Sequence, residues 1–237
     1  MNEPVVFLPG MMCDARLFAP QLADLSRDRV VSVAPITQGD RIEDIAAAIL
    51  PVLPDRFALA GLSMGGIVAM ELLRKAPERI TRIALMDTNA LAETPASAAA
   101  YEPLIIGAKA GRLEDVLRDM MQPDFLAPGA QRMGVLNAFL GMGMDLGPDI
   151  FINQIRALQR RRDQQATLRK CKCPALVMCG EHDGLTPLKR HAFMAELIPY
   201  AQLEVIPNAG HLPTLEAPEA VTRALRDWLR QPLVLRG

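Results

Sequence analysis

The stretch "LAGLSMGGIVAMELL", residues 59–73, holds two periodicities and a sharp change between them. Its first two residues end a strand read over Arg56–Ala60, apolar without interruption from Phe57, the pattern of a buried parallel strand. From Met64 the apolar positions fall at helical spacing. Between them lies Gly61-Leu62-Ser63-Met64-Gly65-Gly66, a strand-to-helix turn that presents one hydroxyl at the carboxyl end of a strand. Side chains two residues to either side of Ser63 would collide across so tight a turn, which accounts for Gly61 and Gly65. Gly66 gives the helix room to pack.

Working outward, short apolar runs alternate with helical patterns, as expected of parallel strands joined by crossover helices. Strands are expected at Val5–Leu8, Val30–Ala34, Arg56–Ala60, Arg82–Met86, Ala175–Cys179 and Leu203–Ile206. Helices are expected around Arg16–Leu25, Ile42–Leu50, Met64–Arg74, Leu188–Leu197 and Glu219–Leu229. The alternation lapses once, between Asp87 and Pro174, where only helix-compatible stretches occur. A structureless loop of that length is improbable, so residues 89–163 are expected to form a helical cap inserted after the fourth strand. Residues 1–88 and 164–237 would form the core.

A serine hydroxyl needs a base to act as a nucleophile at neutral pH, and the base needs an orienting acid. Of three histidines, His211 follows the last strand and precedes the last helix, so it too is presented at the strands' carboxyl ends. His182 sits in a loop, and His191 falls within a helix whose polar face could solvate it. Two aspartates end strands and could be the acid. Asp183 lies in "GEHDGLTP" and precedes His211 by one crossover unit. Asp87, ending "RIALMD", stays open as the alternative and is otherwise read as capping the first helix of the insertion.

"FLPGM", "GLSMGG", "LMDTN", "PALVMCGEHDGLTP" and "NAGHLPTLEAPEAV" together resemble the α/β-hydrolase superfamily, in its capped serine esterase-like branch, over nearly the whole chain. The resemblance implies an α/β-hydrolase fold of about six mostly parallel strands flanked by helices. It also implies a catalytic triad of Ser63, Asp183 and His211, with backbone N–H groups of Met11 and Met64 forming the oxyanion hole. Relatives usually carry His-Gly before the first of these donors where this chain has Pro9-Gly10, but the group required is a main-chain amide. With the first parallel strand entered by about residue 4, the antiparallel edge hairpin of the fuller fold is not expected in this sequence.

The implied activity is hydrolysis of carboxylic esters through an acyl-enzyme, without cofactor or metal. Carbon–carbon bond hydrolysis, lactone hydrolysis, cofactor-free peroxidase or perhydrolase chemistry, and ligand binding without catalysis are the alternatives on the same scaffold. Ser63 in place of aspartate argues against dehalogenase and epoxide hydrolase chemistry. Five of thirteen methionines lie in the insertion, and Phe139, Met142 and Met144 are its candidate pocket residues. Seven Lys or Arg between Arg156 and Lys172, against one acid, read as a solvated basic helix end.

Net charge is −1 and half of the residues are apolar, which favours a small-molecule partner over nucleic acid or an acidic membrane surface. No apolar run approaches the roughly 18 residues of a spanning helix. Four cysteines make no disulfide framework, so reduced thiols and a cytoplasmic location are expected.

Overall fold

A computed structural model describes residues 3–233. Six parallel strands form one sheet in the order β2-β1-β3-β4-β5-β6: β1 (Val5–Leu8), β2 (Val31–Val33), β3 (Phe57–Leu62), β4 (Ile80–Met86), β5 (Ala175–Gly180) and β6 (Ala201–Ile206). All six lie where the apolar runs predict, with ends shifted by a few residues. Every residue of β1, β3 and β5 is buried, which is why these strands read as continuous apolar segments rather than alternating ones. The order in which strands are added to the sheet reverses at β1, flanked by β2 and β3, and at such a switch point the strand ends leave a crevice.

The core helices are α1 (Ala19–Leu25), α2 (Ile42–Ile49) and α3 (Met64–Lys75). Between β4 and β5 run α4 (Pro95–Ala99), α5 (Glu102–Lys109), α6 (Leu113–Met120), α7 (Arg132–Gln159) and α8 (Gln165–Arg169), with no strand among them. The chain closes with α9 (Leu188–Leu197), α10 (Pro213–Glu216) and α11 (Pro218–Arg230). Thr94, whose side chain accepts from Ser97 N–H, caps α4; Asp87, the expected cap, is engaged elsewhere.

By length and composition α7 could cross a membrane, with mean hydropathy 1.2 over its most apolar window. It is broken, however, at Gly147 (φ 83°, ψ 173°) followed by Pro148. Glycine accepts the left-handed conformation that ends one helix, and proline fits the first position of the next. α7 packs on α5 and α6, and past the break Gln154 reaches the turns after β1 and β2.

Candidate active site

The turn after β3 places Ser63 at φ 53°, ψ −117°, a sparsely populated conformation that costs on the order of 1–3 kcal/mol and persists where the surroundings enforce it. Here they do. Ser63 N–H donates to Met86 O (2.9 Å), and Ser63 O accepts from Gly66 N–H (2.9 Å) and Thr88 Oγ1 (2.7 Å). A Cβ on Gly61 would land on the Gly65 carbonyl, and one on Gly65 would land on the Leu8 carbonyl, so neither position has room for a side chain.

His211 arrives from the turn after β6, buried to 1% exposure. Its N–H donates to Phe125 O (2.8 Å). The buried Glu216 carboxylate takes the N–H groups of Gly210 (3.0 Å), Leu212 (2.9 Å) and Ala127 (2.7 Å), so one side chain ties the histidine loop to the segment between α6 and α7. His211 Nε2 lies 3.0 Å from Ser63 Oγ, and Nδ1 lies 3.1 and 3.0 Å from the two carboxylate oxygens of Asp183. With Nδ1–H donating to that carboxylate, Nε2 is left to accept from the serine.

Asp183 Oδ1 also accepts from the N–H groups of Leu185 (2.9 Å) and Thr186 (2.8 Å), and Oδ2 from Thr186 Oγ1 (2.6 Å). Burial alone would raise its pKa. The charge of His211 and the hydrogen bonds from His211 and Thr186 outweigh burial and hold it at about 2, so it is a carboxylate throughout the neutral range.

Met11 and Met64 flank the serine from the turns after β1 and β3, and neither N–H donates to a protein acceptor among the described residues. The Met64 amide is an orphan donor at the start of α3. The turn bearing Met11 is held by a residue that sequence reasoning missed. Met12, at φ 54° and fully buried, donates its N–H to Gln154 Oε1 (2.9 Å), while Gln154 Nε2 donates to Ile36 O (3.0 Å). A single glutamine on α7 thus bridges the turns after β1 and β2. A polar residue on an otherwise apolar helix face was its one trace in the sequence.

These groups open into a cavity of about 660 Å³. Phe139 lines it, with Met120, Met121 and Phe125. Met142 is buried away from it and Met144 is 46% exposed, so neither candidate pocket methionine belongs to the wall. Helical periodicity shows which positions share a face, but the packing of α7 on its neighbours decides which of them meets the cavity. Most of the basic run is solvated as expected, with Arg160, Arg162, Arg169, Lys170 and Lys172 exposed even where Arg160 pairs with Asp40 (2.8 Å) and Arg162 with Glu43 (2.5 Å); Arg161 departs from it, its side chain withdrawn from solvent and paired with Glu93 (2.6 Å). Arg161 and Glu93 line the cavity, where Tyr101 OH also donates to Glu93 (3.2 Å).

His182 is exposed, beside Glu181. His191, expected on a solvated face, is fully buried; its Nε2 accepts from Thr88 N–H (3.0 Å), and burial pushes its pKa down to about 4. Asp87, Cys179, Asp183 and His191 bring their polar atoms within 4.8 Å of one another. That is metal-site spacing without metal-site chemistry, because the Asp183 oxygens and His191 Nε2 already accept hydrogen bonds from N–H and O–H donors. We read it as a hydrogen-bonded cluster behind the site.

The alpha/beta hydrolase family profile matches residues 5–224. The chain is 29% identical over 216 residues to the pimeloyl-[acyl-carrier protein] methyl ester esterase of Aromatoleum aromaticum, covering 81% of this chain and 82% of that one. It is 28% identical over 224 residues to the enzyme of the same name from Chromobacterium violaceum, covering 91% and 85%. Among solved structures, a thermophilic esterase from Thermogutta terrifontis superposes with a TM-score of 0.86 at 26% identity, covering 97% of this chain and 90% of that one. This chain belongs to the alpha/beta hydrolase family.

Proposed function

We propose that the protein is a serine esterase that cleaves carboxylic esters of small, mostly apolar substrates through an acyl-enzyme, with Ser63, His211 and Asp183 as its triad. The observation that carries this reading is the unbroken line from Ser63 Oγ through the His211 ring to the Asp183 carboxylate, each link close to 3.0 Å, ending in a largely apolar cavity. His211 Nε2 takes the hydroxyl proton as Ser63 Oγ attacks the ester carbonyl carbon. Asp183 holds the imidazole in the required tautomer and stabilises the imidazolium. The carbonyl oxygen, now an anion, takes hydrogen bonds from the N–H groups of Met11 and Met64, each worth roughly 3–4 kcal/mol in the transition state by mutational precedent. The imidazolium then protonates the departing alkoxide. Water, deprotonated by the same base, attacks the acyl-enzyme and regenerates Ser63.

We read residues 89–163 as a cap over this chemistry, since their helices supply much of the cavity wall. The cavity volume favours short to medium acyl groups over long lipid chains. Two relatives are named for a methyl ester of a carrier-bound acid, so methyl esters of medium-length acids head the substrates to test. The test is hydrolysis of p-nitrophenyl and methyl ester panels beside a peroxide-dependent halogenation assay, for the protein and its Ser63→Ala variant. Ester turnover lost in the variant supports the reading. Turnover that survives Ser63→Ala refutes it, and peroxide-dependent activity without esterase activity favours the perhydrolase alternative.

A further inference from the structure

The cluster behind the triad contains a second buried carboxyl group. Asp87 follows β4 at φ 44°, is fully buried, and accepts the Gly180 N–H on Oδ1 (2.8 Å). Its Oδ2 is buried with no donor among the described residues. A carboxylate in that position would be an unpaired buried charge within 4.8 Å of the charged Asp183, doubly costly.

The neighbouring groups offer no relief. The Cys179 thiol, which burial raises far above its ordinary value, points at the carbonyls of Gly180 (3.2 Å) and Thr186 (3.8 Å). His191 is neutral and its Nδ1 makes no hydrogen bond to Asp87. Glu216, the remaining charge acting on Asp87, is negative, and the His211 proton is held by Asp183. Burial and then the Asp183 charge push Asp87 well above the usual carboxylate range, more than the Gly180 N–H can offset.

We propose that Asp87 is a positioning residue: a neutral carboxylic acid whose Oδ2–H donates to the Asp183 carboxylate and holds it for His211 without adding a second charge behind the base. The inference rests on the triad reading above. It also explains why the strand-end aspartate that rivals Asp183 in the sequence lies beside it: one carboxyl is the charged partner of His211 and the other its uncharged support.

Asparagine imitates a neutral acid here, because its carbonyl can accept from Gly180 and its amide can donate to Asp183. The experiment measures kcat and KM against pH for the wild type, Asp87→Asn and Asp87→Ala. Infrared spectra of wild type and Asp87→Asn at neutral pH accompany the kinetics. Asp87→Asn should stay within about threefold of wild type with the acid limb of kcat unmoved, and Asp87→Ala should lose about tenfold in kcat with little change in KM. The carbonyl band of a protonated carboxylic acid should be present in wild type and absent from Asp87→Asn.

An acid limb displaced downward by about one unit in Asp87→Asn would mean that a negative charge had been removed, overturning the proposal; a missing infrared band would do the same. If Asp87→Ala does not fold, the asparagine comparison and the band decide. Failure of Ser63 to take a fluorophosphonate label would defeat the triad reading instead, and the band would still report whether Asp87 carries a proton.

Discussion

The two halves of the site are built by different means. Ser63, Asp183, His211 and Met11 each stand on the turn immediately after a parallel strand, so the strand's position fixes the side chain's place. The facing wall comes from helices between β4 and β5, where a residue's place depends on which way a whole helix face is turned. Backbone constraint organises the first half and side-chain packing the second. In the strand half an error of one residue would move the chemistry, whereas in the helical half many residues could line the same space.

The sharpest way to break this contrast is to mutate one group on each side of it. In the strand half, Asp183→Asn preserves shape but favours the wrong imidazole tautomer, and should lower kcat by about 10⁴-fold. Phe139→Ala, in the helical wall, should alter KM and acyl-chain preference by no more than about 100-fold, as expected of apolar pocket contacts. Steady-state kinetics on a series of ester chain lengths checks both. Comparable losses in kcat would mean that the wall takes part in the chemistry.

Gln154 sharpens the comparison because it joins the halves. Gln154→Leu removes the acceptor of the Met12 N–H and the donor to Ile36, leaving buried backbone groups unpaired. It should cost about 1–3 kcal/mol of stability and lower kcat about tenfold through the Met11 amide. Denaturant melts with kinetics at saturating substrate separate the two effects. An unchanged kcat in a destabilised variant would show that the Met11 turn holds its own geometry.

The smallest effect lies in the buried cluster, where two groups oppose each other between about pH 4 and 6.5. His191 stays neutral in the fold down to about pH 4 while the unfolded chain takes up a proton below about 6.5, so its contribution makes stability rise with pH across that window. Asp87 is raised, so the fold keeps a proton that the unfolded chain releases above about 3.9, and its contribution makes stability fall as pH rises. The two should nearly cancel in the wild type. His191→Gln should leave stability falling with rising pH, and Asp87→Asn should leave it rising, by up to about 1.4 kcal/mol per unit. Urea midpoints across the window measure this, and parallel slopes in all three proteins would contradict it.

The same contrast explains what could be read from residues alone. The six strands and the turns after them were legible because apolar runs, glycines and a serine between glycines are local consequences of local geometry. Met142 and Met144 were misplaced because helical spacing does not say which side of the segment before Gly147 is turned to the cavity, as Phe139 on the same segment is. Arg161 looked solvated like its neighbours because its partner Glu93 lies about 70 residues away in the chain. Glu216 left no signal and Gln154 only that of a polar residue on an apolar helix face, since one buried polar side chain serving distant backbone groups has no periodicity. Asp87 was noticed for its strand end and assigned to a helix cap, because the proximity of two strand ends is a property of the sheet.

The central claim, that the turn after β3 carries an activated nucleophile, is tested most directly by covalent labelling with a fluorophosphonate at neutral pH and mass-spectrometric mapping of the adduct. The account predicts a single modification on Ser63, labelling that fails in His211→Ala, and none in Ser63→Ala. An adduct on another residue, or a Ser63→Ala variant that still labels and still hydrolyses esters, would contradict it.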